Sequence, residues 1–439
     1  MVVMTPQQLR KLDRELTAFL ETLTDGMGRP ERREAMCLYM TGLLLDGERK
    51  SIEPLAARLV DDSSEIQAMR QRLQQCVTVS TWAEQELFRR IAAKVEAELP
   101  EIEAFVIDDT GFAKKGVHSV GVARQYSGTL GRVDNCQVAT SLHLAGERGS
   151  ACIGFRLYLP EDWAADQQRR QKAGVPTTVA FTPKWQIALA LLDDAQAAHP
   201  RAHVVLADAG YGDVGEFRDG LTARGLPYVV GVKGGTVVYP PGTQLAVPRP
   251  ANPKGRPPKI ARAVDAEPVS IAELAAGLGF RRVTWREGAR GPQQSRFAAV
   301  RVMTAHRHGT GRPPGAEQWL LCEWPAAEAA PCKFYLSSLP ASTSLKQLVR
   351  LAKLRWRVER DYQEMKGELG LDHYEGRNWL GFHHHAALCA AAHAFLALRR
   401  ALFPPEPSAV DVAARTPAPP ADLAPSLTGL PPLQATVAA

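Results

Sequence analysis

The 439-residue chain is 45% hydrophobic and 23% charged, which is typical of a folded globular protein with room for two or three domains. Its formal net charge of +6 is too small to indicate a polyanionic partner by itself. No apolar run reaches the roughly 18 residues that a membrane-spanning helix needs, and the N-terminus (MVVMTPQQLRKLDREL) lacks the apolar region of a signal peptide. The seven scattered cysteines contain no CxxC pair, which argues against a disulfide framework or a zinc site and predicts a reducing, cytoplasmic location.

Residues 1–100 predict a domain of short helices. Thr5, Pro6 and Gln8 form a helix start, and apolar residues including Phe19 then repeat at helical spacing. Further helices are expected over residues 32–45, 51–60, 65–75 and 83–99. Such helices can present a recognition helix to a DNA groove, or they can serve packing or dimerisation; we favour a DNA-binding domain.

From residue 103 the pattern changes to strand-like runs. EAFVIDDTGFAKKG, SVGVARQYSG and VDNCQVATSLHLAG, separated by glycine turns, predict an antiparallel meander that ACIGFRLYLP extends. A helix over 184–199, the strand HVVLAD, a helix over 214–224 and the strand LPYVVGVK follow. This order predicts an α/β fold with an RNase H-like mixed sheet flanked by helices, of which residues 101–233 form the first part.

Residues 234–339 are rich in proline and glycine and predict a β-rich insertion with short strands at RRVTW, RFAAVRVM and QWLLCEW. Between Lys254 and Arg312, twelve Lys or Arg residues stand against four Asp or Glu residues, so the local excess of positive charge is larger than that of the whole chain. This segment is either a DNA-binding surface, with Lys254, Arg256 and Lys259 on phosphates, or a solvated linker. The strand KFYLSSLP then returns the chain to the core.

The stretch 345–368 (LKQLVRLAKLRWRVERDYQEMKGE) predicts one long helix with a serine N-cap at position 342 or 344. Arg355, Glu359, Tyr362 and Lys366 are spaced so that they share one helical face. A carboxylate between two cations on that face suits a metal site that holds a phosphodiester. The alternative is an exposed helix with ordinary charge pairs.

Residues 340–402 are expected to complete the core with a further Ala- and Leu-rich helix. The three consecutive histidines of GLDHYEGRNWLGFHHH point about 100° apart on a helix, so they do not predict a shared metal site. Residues 403–439 hold nine of the 32 prolines and few charges, which predicts a disordered tail.

Two aspartates stand at the predicted ends of apolar strands, Asp108 in FVIDDT and Asp208 in VVLADAGYG. Together with Glu359 they form a set of three carboxylates, which suits two Mg²⁺ ions because the acids compensate the ionic charge and leave positions open for phosphate and water. For any single aspartate, capping a turn is the commoner role. The order strand, strand, helix favours the metal site.

With these motifs in place, the chain resembles the DDE transposases of the insertion-sequence 701 family, which are related to the insertion-sequence 4 transposases. The matching pieces cover most of residues 28–395: GLLLDGERKSIEPLA, VIDDTGFAKKG, VGVARQYSGTLGRVDNCQ, LADAGYG and RWRVERDYQEMKGELGLDHYEGRNWLGFHHH. Arg355, Glu359 and Lys366 fit the last three positions of the Y-x2-R-x3-E-x6-K signature of the related group. Ala352 occupies its tyrosine position, which puts that one contact in doubt.

The resemblance implies an enzyme that performs cut-and-paste DNA transposition. Its D-x-T pattern selects Asp108 over Asp109, which takes a secondary role. The implied metal ligands are Asp108, Asp208 and Glu359, with two Mg²⁺ ions as cofactors and Mn²⁺ as a substitute. The implied phosphate contacts are Arg355 and Lys366.

The implied partners are double-stranded DNA, as terminal inverted repeats and as target, and a second copy of the chain in a synaptic homodimer. The implied location is the nucleoid of a bacterial cytoplasm. Trp285, Trp319 and Trp324 either stack on a flipped base or pack in the core. Two alternatives remain open, an inactive DNA-binding relative and an RNase H-like nuclease without strand transfer.

Overall fold

A computed structural model describes residues 5–198, 201, 203–247, 259, 261–288, 291–305 and 314–402. The chain up to residue 403 forms one compact unit. The predicted disordered tail and the predicted DNA contacts Lys254 and Arg256 lie outside the described residues. Within them, no helix is both long enough and apolar enough to cross a membrane.

The predicted N-terminal helices form within a few residues of their expected bounds. Thr5 caps the first helix by accepting from the Gln8 N–H, while the Gln8 side chain accepts from the Thr5 N–H, so the predicted start is confirmed. The helices are α1 (Pro6–Thr24), α2 (Pro30–Leu44), α3 (Ile52–Arg58), α4 (Ile66–Thr78), preceded by the 3₁₀ turn Ser63–Glu65, and α5 (Glu84–Glu98).

The predicted antiparallel meander also forms. Its strands are β1 (Ile102–Ala113), β2 (Ala123–Ser127), β3 (Arg132–Gly146) and β4 (Gly149–Leu157), and the later strands of the core are β5 (Val204–Ala207) and β6 (Tyr228–Val232). β3 pairs antiparallel with β1, β2 and β4, whereas β1, β5 and β6 run parallel. The predicted mixed sheet is confirmed, with β1 between its parallel neighbour β5 and its antiparallel neighbour β3.

Residues 234–339 contribute strands to this same sheet. They supply β7 (Val237–Tyr239), β10 (Val269–Ser270), β11 (Arg281–Gly288), β12 (Gly291–Thr304), β13 (Glu317–Trp324) and β14 (Lys333–Ser337), while β8 (Leu245–Ala246) and β9 (Arg262–Ala263) form a separate ribbon. β14 pairs antiparallel with β6, so twelve of the described strands form one sheet in the order β10-β7-β12-β13-β14-β6-β5-β1-β3-β2, with β11 beside β12 and β4 beside β3.

Helices cover both faces of the central strands. They are α6 (Glu161–Ala165), α7 (Gln167–Ala173), α8 (Lys184–Ala198), α9 (Ala209–Gly212), α10 (Gly215–Ala223), α11 (Ile271–Ala276), α12 (Leu345–Leu354), α13 (Trp356–Gly367) and α14 (Trp379–Leu402). Tyr362 of α13 meets Ser141 of β3 on one face of the sheet, and Lys184 of α8 meets Asp109 of β1 on the other face. Alternate residues of β1 and β3 therefore serve different helices.

The prediction of one continuous helix over 345–368 is wrong, because the helix is interrupted at Arg355. Ser344 is the N-cap of α12, and α13 begins at Trp356. Arg355 has φ −55° and ψ −24°, close to 3₁₀ geometry, and its carbonyl accepts from Val358, three residues ahead. No proline or glycine marks this break in the sequence.

The middle residue of the three consecutive histidines, His384, joins α14 to the N-terminal helices. The ring nitrogens of His384 lie 3.0 Å from the Val77 carbonyl oxygen and 2.9 Å from that of Trp82. The ring also stacks on the Trp82 indole at 3.7 Å between centroids. These contacts explain the histidine run as a packing feature of α14.

The flanking histidines are buried and hydrogen-bonded as well. His383 accepts from the Leu157 N–H and contacts the carbonyl of Trp379, whereas His385 contacts the Tyr39 hydroxyl and the Gly370 carbonyl. Burial lowers the pKa of His383 and of His385 to about 4.

We expect acidification between about pH 6.5 and 4 to destabilise the fold through these two rings. Over this window the unfolded chain binds protons that the folded chain does not, so each ring removes about 1.4 kcal/mol of unfolding free energy per pH unit as the pH falls. Urea unfolding of wild type and His385→Gln at pH 7, 6 and 5 checks this. The variant should lose about half of the two-ring effect, and an unchanged pH slope would contradict the assignment.

Candidate active site

Asp108 lies in the middle of β1, so its predicted position at a strand end is wrong. β1 continues to Ala113 because β3 pairs with it as far as Cys136. The parallel pairing with β5 stops earlier, at Val106, and this leaves Asp108 at the edge where its parallel neighbour ends. The aspartate is therefore held by a strand at the C-terminal end of β5, which is where α/β sheets commonly bind their ligands.

Asp208 directly follows β5, as predicted. Its carboxylate caps the short helix α9 by accepting from the Gly210 N–H at 2.9 Å. The turn packs tightly on β6, where a Cβ on Gly212 would lie 1.9 Å from the carbonyl oxygen of Gly231. Glycine is thus required at position 212, and this close contact fixes the turn that carries Asp208.

Arg355, at the break between α12 and α13, connects two of the three predicted carboxylates. Its Nη1 lies 3.2 Å from Oδ2 of Asp108, and its Nη2 donates to Oε1 of Glu359 at 2.8 Å. The Asp108 side chain is 14% exposed, whereas that of Glu359 is 63% exposed. One guanidinium therefore separates a buried carboxylate on the sheet from an open carboxylate on the helix.

The charges of this cluster act on each other. Burial raises the pKa of Asp108 to about 7; Arg355 opposes this rise, and the carboxylates of Asp208 and Asp109 add to it. Burial disfavours the charge on Arg355, but Asp108, Glu359 and Asp208 together raise its pKa above the usual value. The three predicted carboxylates thus share one electrostatic environment around Arg355.

Asp109 faces the opposite side of β1 and has its own set of partners. It accepts from Thr140 at 3.1 Å and from the Tyr211 hydroxyl, and it forms an ion pair with Lys184. These partners occupy both of its oxygens. Sequence analysis missed Thr140, Tyr211 and Lys184. The register of β1 on β3 places Thr140 beside Asp109, and the packing of α8 and α9 brings Lys184 and Tyr211 to it.

Lys366 of α13 contacts β1 further along the strand than Arg355 does. Its ammonium donates to the Gly111 carbonyl at 2.8 Å and lies 5.1 Å from the centroid of the Phe112 ring. Burial lowers its pKa to about 8. Of the predicted basic contacts in the insertion, only Lys259 is among the described residues, and it is exposed.

The predicted tryptophans of the insertion are engaged within the protein. Trp319 donates to the Pro340 carbonyl at 3.0 Å and Trp324 to the Glu328 carbonyl at 2.8 Å. Trp285 packs edge-on against Phe297. These contacts agree with the packing alternative for each ring.

A buried polar network lies between α13 and the sheet. Asp361 accepts from Ser150 at 2.6 Å and lies 2.7 Å from Nδ1 of His143. His143 in turn contacts Ser141, whose hydroxyl is 2.5 Å from that of Tyr362. Although Ser141, His143 and Asp361 have the order of a hydrolytic triad, all three are buried, so no substrate reaches the serine. The network anchors α13 to β3 and β4.

Comparison with known proteins identifies the family. Residues 22–292 match the sequence profile of the DDE superfamily endonuclease family, which is more than half of the chain. The chain belongs to the DDE superfamily endonucleases. The matched region includes Asp108 and Asp208 and ends before Glu359, so the family resemblance seen in the sequence is confirmed without a test of the third carboxylate.

This DDE superfamily endonuclease is also similar to a curated protein of Microchaete diplosiphon, the "Probable transposase for insertion sequence element IS701". The two are 28% identical over 205 residues, which cover 46% of this chain and 49% of the relative. The chain thus spans about half the length of the curated relative that it matches.

DDE endonuclease domains depend on divalent metal, and the donor chemistry here fits such an ion. Asp108, Asp208 and Glu359 offer hard carboxylate oxygens. Burial raises the pKa of Asp108, and the neighbouring carboxylates of Asp208 and Asp109 add to the rise although Arg355 opposes it. Among the described residues, no three His, Cys, Asp or Glu side chains are already arranged around a common metal position. In this DDE superfamily endonuclease the Arg355 guanidinium stands between the carboxylates instead.

Proposed function

We propose that this chain is a transposase that cleaves DNA at the ends of an insertion sequence and joins the freed ends to target DNA. The observation that carries the proposal is the grouping of Asp108, Asp208 and Glu359 around Arg355. Membership of the DDE superfamily endonucleases and the similarity to a probable transposase support it.

In this proposal, Asp108, Asp208 and Glu359 hold two Mg²⁺ ions. When bound, the ions would activate first a water and then a DNA 3′-OH as nucleophile, and would stabilise the leaving oxygen. Arg355 would turn from its carboxylates to a phosphate oxygen near the scissile bond, where its planar fork can donate two hydrogen bonds. Lys366, half-buried beside Gly111, would hold a neighbouring phosphate.

We assign the remaining parts of the chain accordingly. Residues 101–233 and 340–402 form an RNase H-like catalytic core, residues 1–100 bind DNA, and the basic insertion at residues 234–339 lines the DNA path, with Lys254, Arg256 and Lys259 on phosphates. The substrate is double-stranded DNA with terminal inverted repeats. A homodimer holds two ends together, and the protein works on the bacterial nucleoid.

The test uses the full-length protein, a plasmid that carries the DNA flanking its gene with any inverted repeats, and Mg²⁺. We expect double-strand breaks at the repeat ends, followed by insertion of the released fragment into a second plasmid. Cleavage without insertion would identify a nuclease instead of a transposase. DNA binding without cleavage under Mg²⁺ or Mn²⁺ would identify an inactive relative.

Paired variants of the adjacent aspartates test the choice of Asp108. We expect Asp108→Asn to abolish cleavage with little change in unfolding free energy, because the cost of burying its charge and the attraction of Arg355 oppose each other. Asp109→Asn should lower stability by about 1–3 kcal/mol, since Lys184 and Tyr211 lose an anionic partner, and should keep part of the activity. Nicking assays and urea unfolding check both variants. Equal loss of cleavage in the two variants, at equal folded fraction, would contradict the choice.

A further inference from the structure

A basic cavity of about 480 Å³ lies beyond the end of β1, away from the carboxylates. Its charged lining consists of Arg169 and Lys172 from α7, Arg377 from the loop before α14, His118 from the loop after β1, and one acid, Glu375. Glu375 is already paired with Arg49 at 2.5 Å. Three cations therefore line the cavity, and its one carboxylate, Glu375, pairs with Arg49, which is not part of the lining.

Lys172 and Arg377 are exposed. Among the described residues, no carboxylate oxygen lies within 4.0 Å of the side-chain nitrogens of either residue, so neither forms an ion pair there. Arg169 donates to the Val117 carbonyl at 3.3 Å, and its guanidinium lies 3.8 Å from the centroid of the Trp163 ring. Arg169 is thus held in place by an aromatic ring and a backbone oxygen, which leaves its positive charge uncompensated. Gathering such charges costs stability unless an anion is bound.

Hydrogen bonds between distant segments fix the shape of this basic cavity. The Val120 N–H donates to the Arg377 carbonyl at 3.1 Å, and the Asn378 side chain donates to the Thr78 carbonyl at 3.3 Å. The Trp163 indole donates to the Val122 carbonyl at 2.7 Å. The cations are therefore carried by a preformed scaffold.

A row of positive groups connects the candidate active site with the basic cavity. Arg355 contacts Asp108, Lys366 contacts the Gly111 carbonyl, and Lys114 donates to the Tyr374 carbonyl at 3.0 Å. Ala113, the last residue of β1, lies five residues after Asp108, a distance of about 17 Å along the strand, and the cavity lies past that end. This length corresponds to about five base pairs of B-form DNA. A single phosphate ion would occupy only one point of such a row, whereas a DNA backbone follows all of it.

We propose that the basic cavity formed by Arg169, Lys172, Arg377 and His118 binds phosphates of the DNA duplex that flanks the scissile bond, at least about five base pairs away. This inference rests on the proposed function, because it takes DNA as the substrate. The contact positions the duplex and carries no sequence information, since it is made to the backbone.

The test compares two doubly substituted full-length proteins that lose the same charge. Lys172→Gln/Arg377→Gln removes two cations of the basic cavity. Arg201→Gln/Arg224→Gln removes two cations from the segments that precede β5 and β6. These segments lie at the N-terminal ends of the two parallel strands, whereas Asp208 follows the C-terminal end of β5. Binding of a fluorescent 40-base-pair duplex is measured by anisotropy between 50 and 300 mM NaCl, without divalent metal. Circular dichroism verifies that both proteins are folded.

We expect the slope of log K against log salt to become shallower by about 2 in the cavity variant and to stay unchanged in the control, because each lost phosphate contact removes about 0.9. Equal slopes in wild type and the cavity variant would overturn this site while leaving the proposed function intact. Failure of the wild type to bind DNA at 50 mM NaCl would overturn the proposed function itself. Thermal unfolding with inorganic phosphate at constant ionic strength tests whether the cavity binds free phosphate instead of DNA. If phosphate raises the unfolding temperature of wild type but not of the cavity variant, while both proteins show the same salt slope for DNA binding, the cavity is a site for free phosphate.

Discussion

Glu359→Gln is expected to eliminate metal-dependent DNA cleavage while leaving thermal unfolding unchanged. The amide keeps the shape of the side chain and can still accept from Arg355, but it offers a divalent ion no charge. Removing the hydrogen-bond partner of a metal ligand typically lowers activity about 10- to 100-fold. Removing the ligand itself should have a larger effect, so we expect the cleavage rate to fall by more than about 100-fold. Stability should hold because the pair with Arg355 is exposed on the glutamate side, and such pairs contribute at most about 1 kcal/mol.

Two other glutamates of the same helix region serve as matched controls. Glu364 is only 5% exposed and is held by Arg360, His393 and Arg400, so Glu364→Gln should lower the unfolding temperature. At a temperature where it is folded, this variant should still cleave DNA. Glu368 is 57% exposed, and Glu368→Gln should change neither property. Loss of cleavage in Glu364→Gln equal to that in Glu359→Gln, at equal folded fraction, would refute the assignment.

The parts of the fold that could be predicted from sequence are those that local chemistry decides. Thr5 and Gln8 form a capping box in any helix that starts there, and the runs around Asp108 and Asp208 alternate or cluster their apolar residues as strands do. The helical face that carries Arg355 and Glu359 was predictable because they are four residues apart, and the two side chains do pair.

What escaped prediction depends on tertiary register. The break at Arg355 has no proline or glycine to announce it, and it coincides with the attachment of this side chain to Asp108 on another element. Sequence analysis assigned Asp109 only a secondary role beside Asp108. Neighbouring residues of a strand point to opposite faces of the sheet, so Asp109 has different partners from Asp108. The strand β14 was predicted to return the chain to the core, but its pairing with β6, across about a hundred residues of chain, is specified by no local pattern. This pairing joins the strands of residues 234–339 to the main sheet.

No local sequence pattern indicated the buried network around Asp361. Substitution of Asp361 should produce a large loss of stability. Burial opposes the charge on Asp361, but hydrogen bonds from His143 and Ser150 and the nearby His393 ring hold its pKa below the usual value. The carboxylate is therefore ionised in the interior and depends on these partners. Asp361→Ala removes one member of a buried charged group and should cost about 3–5 kcal/mol of unfolding free energy.

The effect should reach the active site, because Asp361 lies two residues after Glu359 on α13 and anchors this helix to β3 and β4. At 15 °C, where the variant is still folded, we expect slower cleavage with nearly unchanged DNA affinity. Gln363→Ala, on the exposed side of the same helix, should change stability by less than about 0.5 kcal/mol. Urea unfolding of Asp361→Ala, His143→Ala and the double variant completes the test. Coupling of about 1–3 kcal/mol between the two sites is expected, and simple additivity would show that the pair does not act as a unit.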